Sequence, residues 1–236
     1  MLGAFMYFCL WLPLNILRRI WWNWHVEGIE NLPPRGQGMI LAINHIHWTD
    51  IHILGASLPL SHRPWWIAKI EMFLNPVVTW WLRQMQVIPI KRGKRDMAAM
   101  EAAEEALRAG AVLVIFPEGH RSHTGGLLEG RGGAVRLSAR TGCPIVPMAV
   151  WGTESGLAGA FGRKPIHLRI GKAFFAHTKN GKIPFDRMNE LTKQMMLHIA
   201  ELLPEQYWGF YRERMLQRLA SATTNAEHMV SAERAE

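Results

Sequence analysis

A disulfide framework is beyond this sequence, whose only two cysteines are Cys9 and Cys143. One lies in an apolar N-terminal stretch and the other beside an expected strand, an arrangement suited to the cytoplasmic side of a membrane. G-x-S-x-G does not occur, so a serine lipase would lack its nucleophile turn. Nor does G-x4-G-K-[ST], which removes the phosphate cradle of a P-loop nucleotidase. No internal repeat is present. Acidic residues are scarce beside basic ones, 19 Asp and Glu against 27 Lys and Arg. The formal charge of +8 calls for an anionic partner, whether nucleic acid, anionic lipid or a phosphorylated substrate. At 49% hydrophobic residues over 236 positions, the chain can bury a substantial core.

The first 17 residues, MLGAFMYFCLWLPLNIL, carry no charged side chain, and Arg18, Arg19 and a tryptophan cluster follow. As a helix they would reach about 25 Å, short of a roughly 30 Å hydrocarbon core. Pro13 and Asn15 interrupt the run. A cleaved secretory signal would need a basic leader and a small-x-small site, and neither is there. Residues 1–25 therefore read as a retained, monotopic anchor dipping into one leaflet of a membrane at its cytoplasmic face, with a full span as the rival. Trp11, Trp21, Trp22 and Trp24 fit such an interface, and the pairs Trp65-Trp66 and Trp80-Trp81 fit either an interface or a core. Because these aromatics do not interleave with Lys and Arg, nucleic acid is the poorer anionic partner.

Behind the Pro/Gly-rich connector ENLPPRGQG at 30–38, apolar runs alternate with helical periodicity. Strands are expected at 39–43, 87–90, 112–116, 144–150 and 166–170, with Pro89 pointing to an edge or irregular strand. Helices are expected over 96–109, 131–141 and from Met188 to Leu202. The pattern implies an α/β domain over 26–218, a mixed, mostly parallel sheet flanked by helices, with the N-terminal membrane-associated helical segment ahead of it. Residues 219–236 read as a polar, frayed tail. In such sheets ligands bind where strands end.

Two polar turns follow buried strands. NHIHWTD, 44–50, comes directly after MILAI. His45 and Asp50 would diverge by about 140° on one helix. They can meet if His45 leaves the strand and Asp50 opens a helix, for which Thr49 is a candidate N-cap. An aspartate holding one ring nitrogen leaves the other as a base. A structural histidine, or metal binding by His45, His47, His52 and Asp50, are the rival readings, and metal lacks a clear further ligand cluster. FPEGHRS, 116–122, follows the second strand. There Gly119 lets backbone approach a ligand, Arg121 can fork onto a phosphate, and Glu118 can orient an arginine or bind hydroxyls.

NHxxxxD followed some seventy residues later by FPEGxRS resembles the glycerolipid acyltransferase family that includes 1-acylglycerol-3-phosphate acyltransferases. The lead-in VEGIENLPPRGQGMILAINH, AKIE at 68–71, VIPIKRG at 87–93 and PIVPMAVWG at 144–152 are similar to further family segments. Together they carry the likeness over roughly residues 25 to 210. His120 stands where the family usually has threonine.

The resemblance implies transfer of a fatty acyl group from acyl-CoA or acyl carrier protein to the sn-2 hydroxyl of lysophosphatidate, a membrane lipid, giving phosphatidate without a cofactor or metal. It makes His45 the general base and Asp50 its partner. It assigns Lys69, Arg92 and Arg121 to the acceptor phosphate. Glu118, Gly119 and Pro147 fall to substrate binding or the oxyanion, with the Gly119 N–H as a candidate donor and Pro147 shaping an acyl or thioester channel. Two alternatives stay open. One is the same chemistry on glycerol-3-phosphate, another lysolipid or an aminolipid; the other is a non-catalytic, basic lipid-binding protein at the membrane surface. Nothing in the sequence bears on oligomeric state.

Overall fold

The apolar runs are strands of one seven-stranded sheet in a computed structural model that describes residues 1–91, 96–176 and 183–221. In chain order the elements begin with α1 (Leu2–Ile20), β1 (Trp24–Glu27), β2 (Met39–Ile43), α2 (Asp50–Ser57) and β3 (Pro64–Lys69). Next come α3 (Pro76–Gln84), β4 (Val87–Ile90), α4 (Met97–Arg108), β5 (Val112–Ile115) and α5 (Gly133–Thr141). The chain closes with β6 (Ile145–Trp151), α6 (Gly156–Phe161), β7 (Ile166–Ile170), α7 (Phe185–Leu202) and a last helix, α8, over 212–221.

The strand order is β1-β7-β6-β2-β5-β3-β4. β6, β2, β5, β3 and β4 run parallel, while β7 is antiparallel to β6 and carries β1 parallel to itself. The mixed, mostly parallel sheet is thus the one expected, with β4 and its Pro89 at an edge. Two strands escaped the sequence reading. WHVE of β1 is too short to set a period, and PWWIAK of β3 hides in a tryptophan pair that fits an interface equally well. Trp65 and Trp66 instead point to opposite faces of the sheet, each against a different core.

Both faces are covered, so β2 is buried at every position. Ile40 and Ala42 pack with α4, α5 and α7, through Ala103, Leu137 and Met195 among others. Met39, Leu41 and Ile43 pack on the other face with α2 and the tryptophans Trp22 and Trp24. Burying a side chain of this size is worth about 1.5–3 kcal/mol. That makes the centre of the sheet the rigid floor from which the loops at its carboxyl edge rise.

α1 does not stand apart. Tyr7 Oη donates to Gly55 O (2.7 Å), Trp11 Nε1 to Leu58 O (3.0 Å) and Asn15 Nδ2 to Ala56 O (2.8 Å). These side chains occupy the carbonyls that the end of α2 leaves unpaired. Asn15, an interruption in the sequence reading, is a fastening point. No helix among the described residues is long and apolar enough to cross a membrane, which removes the full span there. The expected tail lies, from residue 222 on, outside the described residues.

β2 and β6 are clamped just past the last rung of β2. The buried Asn44 donates through Nδ2 to Val150 O and accepts from Val150 N–H, both at 2.8 Å. Asn44→Ala would strand both buried backbone groups. It is expected to cost about 2–3 kcal/mol, read as a lower urea midpoint with an unchanged denaturant slope.

Candidate active site

The chain leaves β2 at Ile43 and must turn into α2 within six residues. Asp50, the first residue of α2 and fully buried, organises that turn. Its Oδ2 accepts from Ile46 N–H at 2.7 Å, from His47 N–H at 2.8 Å and from His45 Nδ1 at 2.9 Å. A carboxylate only accepts, so the hydrogen of the imidazole lies on Nδ1 and Nε2 keeps its lone pair. The ring stacks on Phe116, centroids 4.0 Å apart at 23°, and its side chain retains 12% exposure. The result is an oriented base at the carboxyl end of a central strand, with an open face.

Thr49 occupies the N-cap position of α2, as expected, but makes no capping bond. Its hydroxyl pairs with His47 Nδ1 at 2.9 Å. His47 therefore braces the turn, and its ring lies against Gly156 at the start of α6. His52 meets the Trp48 ring edge-on, and burial lowers its pKa from the usual histidine value. No group of three or more His, Cys, Asp or Glu side chains among the described residues is placed to hold a metal ion.

The second loop interlocks with the first. Glu118, 2% exposed, accepts from His45 N–H through Oε1 and from Leu128 N–H through Oε2, both at 2.8 Å. Ser122 N–H donates to His45 O at 2.7 Å. Both backbone polar groups of His45 thus point into the loop after β5. Glu118, expected at the substrate or oxyanion, here gives each of its oxygens to a backbone N–H, one of them the amide of His45. Burial pushes its carboxyl up to about 7; the two N–H donors oppose that shift and Asp50 adds to it.

Gly119 takes φ 78°, a conformation that glycine adopts without strain, and a Cβ there would come within 3.0 Å of the Arg131 guanidinium. Its N–H, the expected oxyanion donor, is donated to Phe116 O at 3.0 Å. That hydrogen is spent on the turn, and what Gly119 supplies is shape. Pro147, expected to shape an acyl or thioester channel, is buried. It lies inside β6, opposite Ala42 of β2, below the carboxyl edge. Ile145 N–H donates to Phe174 O, and two residues on Pro147 has no N–H to give, at the break in the pairing with β7.

Lys69 ends β3 at the same edge and is exposed, as is Arg121. No ion pair to either is made among the described residues. Arg92 lies outside the described residues. Sequence reasoning missed Phe116, Ser122 and Arg131 as parts of the site. The first two sit within FPEGHRS, where only Glu118, Gly119 and Arg121 carried an obvious chemical reading. Arg131 lies in a glycine-flanked loop that nothing local ties to Gly119.

Glu118→Gln should orphan one of the two N–H groups, since an amide presents only one accepting end. The expected outcome is at least about a tenfold fall in turnover and a loss of about 1–3 kcal/mol in stability. A pH signature follows as well. Between the ordinary carboxylate range and about 7 the folded chain holds the Glu118 proton more tightly than the unfolded chain. Stability therefore falls as pH rises through that window and levels off above it. Unfolding midpoints of the wild type and Glu118→Gln, taken across this range, should show the slope shrinking in the variant.

The comparisons with known proteins bear on this geometry. Residues 23–151, more than half of the chain, match the family described as Acyltransferase. A chloroplastic 1-acyl-sn-glycerol-3-phosphate acyltransferase of Brassica napus is 29% identical over 194 residues, 80% of this chain and 55% of the relative. An enzyme of the same name from Bacillus subtilis is 29% identical over 181 residues, 75% of this chain and 86% of the relative. The chain thus spans about half the length of the plant protein and most of the bacterial one. A crystal structure of the 1-acyl-sn-glycerophosphate (LPA) acyltransferase PlsC from Thermotoga maritima superposes with a TM-score of 0.63 at 23% identity. It covers 84% of this chain and 78% of its own, so the two share a fold. The matched stretch runs from β1 to the end of β6 and contains His45, Asp50 and Glu118 with the loops that hold them; this chain belongs to the acyltransferase family.

Proposed function

We propose that the chain transfers a fatty acyl group from a thioester donor, acyl-CoA or acyl carrier protein, to the sn-2 hydroxyl of lysophosphatidate, giving phosphatidate for phospholipid synthesis. The observation that carries this reading is the His45–Asp50 pair, 2.9 Å apart, with Nε2 free at the carboxyl edge of the sheet. Nε2 takes the proton of the acceptor hydroxyl as its oxygen attacks the thioester carbonyl carbon. The tetrahedral adduct then collapses, the C–S bond breaks, and the leaving thiolate takes the proton back from the imidazolium. Asp50 supports the imidazolium without being protonated. The reaction as written consumes no cofactor.

Lys69 and Arg121, exposed at the same edge, supply cations for the acceptor phosphate, with Arg92 as the third residue that the family resemblance assigns to it. The acceptor is a membrane lipid and the donor is water-soluble, so the site belongs at an interface. α1 provides it. Phe5 and Ile16 lie on its open face, and Arg18 and Arg19 close its last turn. This is a monotopic anchor, and two free thiols suit the cytoplasmic face.

With purified protein, lysophosphatidate and acyl-CoA or acyl carrier protein, labelled phosphatidate is the expected product; thiol release with no new lipid would overturn the transferase reading. His45→Ala should lower turnover by about 10²–10⁴-fold with the circular dichroism spectrum kept, and Asp50→Asn should act in the same direction through the wrong tautomer. Arg121→Ala should raise KM for lysophosphatidate by roughly ten- to a hundredfold and leave a phosphate-free aminolipid acceptor unaffected. Equal effects on both acceptors would remove phosphate recognition from Arg121.

A further inference from the structure

α3 is apolar on sides that meet no protein. Its sequence, PVVTWWLRQ, buries only Leu82. Val77 is 72% exposed and Trp80 49%, Val78 and Trp81 are exposed as well, and Leu74 in the turn before the helix stands 83% exposed. Its apolar side faces outward rather than into the core, and an exposed patch of this kind marks an interaction surface. The helix is nonetheless well made. Asn75 accepts from Val77 N–H (2.9 Å) and Val78 N–H (3.2 Å), and Pro76 opens the first turn.

Three observations identify what covers it. Arg83 stands exposed in its last turn, and the exposed Lys69 precedes it together with the exposed Glu71, so cations that match lipid phosphates above an acyl layer outnumber acids two to one around it. Its aromatics are tryptophans, whose rings favour the headgroup layer. It is also continuous with α1. The absent side chain of Gly3 lets α1 lie against Gln84 O, where a Cβ would come within 2.5 Å. Arg63 binds the same carbonyl while its guanidinium stacks over the Tyr7 ring, 5.5 Å from the centroid. Of the exposed large hydrophobic side chains among the described residues, nine fall in residues 1–21 and seven in 70–81. More than half of those side chains are therefore in these two segments.

We infer that α3 and the turn before it form a second membrane-inserting element, seated in the same leaflet as α1. The inference rests on the reading of α1 as an interfacial anchor and extends it. α3 hangs from the carboxyl end of β3, at the edge that carries His45, and meets α1 at its own far end. Two contacts set an orientation that a single helix leaves free, and they turn the active-site edge toward the lipid surface.

The test uses the full chain and flotation with mixed phosphatidylglycerol and phosphatidylcholine vesicles. Leu74→Asp lies in the exposed turn before the helix and Val77→Asp in its first turn, where the helix dipole tolerates an acid, so fold and thermal midpoint should be kept. The vesicle partition coefficient is expected to drop about tenfold or more. Phe5→Asp with Phe8→Asp probes α1 in parallel. If the α1 variant loses vesicle binding and the α3 variant retains it, the second element is overturned and the anchor reading stands. If neither variant loses it, both fall. If the α3 variant binds vesicles normally and instead dissociates a wild-type dimer on gel filtration, the face is a contact between copies, and the inference is likewise overturned.

Discussion

Three donors converge on one buried oxygen, Asp50 Oδ2, and the rest of the site takes its shape from that convergence. Two are backbone N–H groups that the chain would otherwise leave unpaired as it passes from β2 into α2. The third is the ring nitrogen of His45. A carboxylate that folds the turn and fixes the imidazole with the same atom makes local structure and chemistry inseparable. It also explains the spacing of the motif: five residues are what the turn needs for the first helical residue to reach back to the strand's end.

Glu118 repeats the device across loops. Where Asp50 gathers donors on one oxygen, Glu118 spreads two donors over both, and so ties the loop after β2 to the loop after β5 and its continuation at Leu128. With Ser122 N–H on His45 O, the residue that carries the base is held from its side chain, its amide and its carbonyl. An imidazole held on three sides would lose little freedom on meeting a ligand, which is the condition under which positional catalysis gains its advantage. The stretch that matches the acyltransferase family contains this arrangement, and the Thermotoga maritima enzyme shares the fold.

Much of this was legible in the sequence because it is local. MILAI reads as a buried strand from composition alone, and a histidine and aspartate five apart at its end can meet only through a strand–turn–helix. The Met and Leu stripe of α7 is periodic, and its boundary at Leu202 follows from Pro204. What escaped depends on pairing partners remote in sequence. WHVE becomes a strand because β7, some 140 residues later, offers it an edge. PVVTWWLRQ is short, and most of its apolar side chains face outward rather than into the core that sets a period. The surroundings of Glu118, Gly119 and Pro147 escaped the sequence for one common reason. A motif names residues near the chemistry, but only the hydrogen-bond partners tell whether an atom is still free to act, and here Leu128 N–H, Phe116 O and the break beside Phe174 decide it.

The hydrogen bonds between α1 and α2 have a practical corollary. Tyr7, Trp11 and Asn15 finish the end of the helix whose opening residue is Asp50. Deleting the first twenty residues to gain a soluble preparation would uncover three carbonyls and part of the packing under that helix. The segment proposed as the anchor is thus also a structural part of the turn that holds His45, and the two cannot be purified separately.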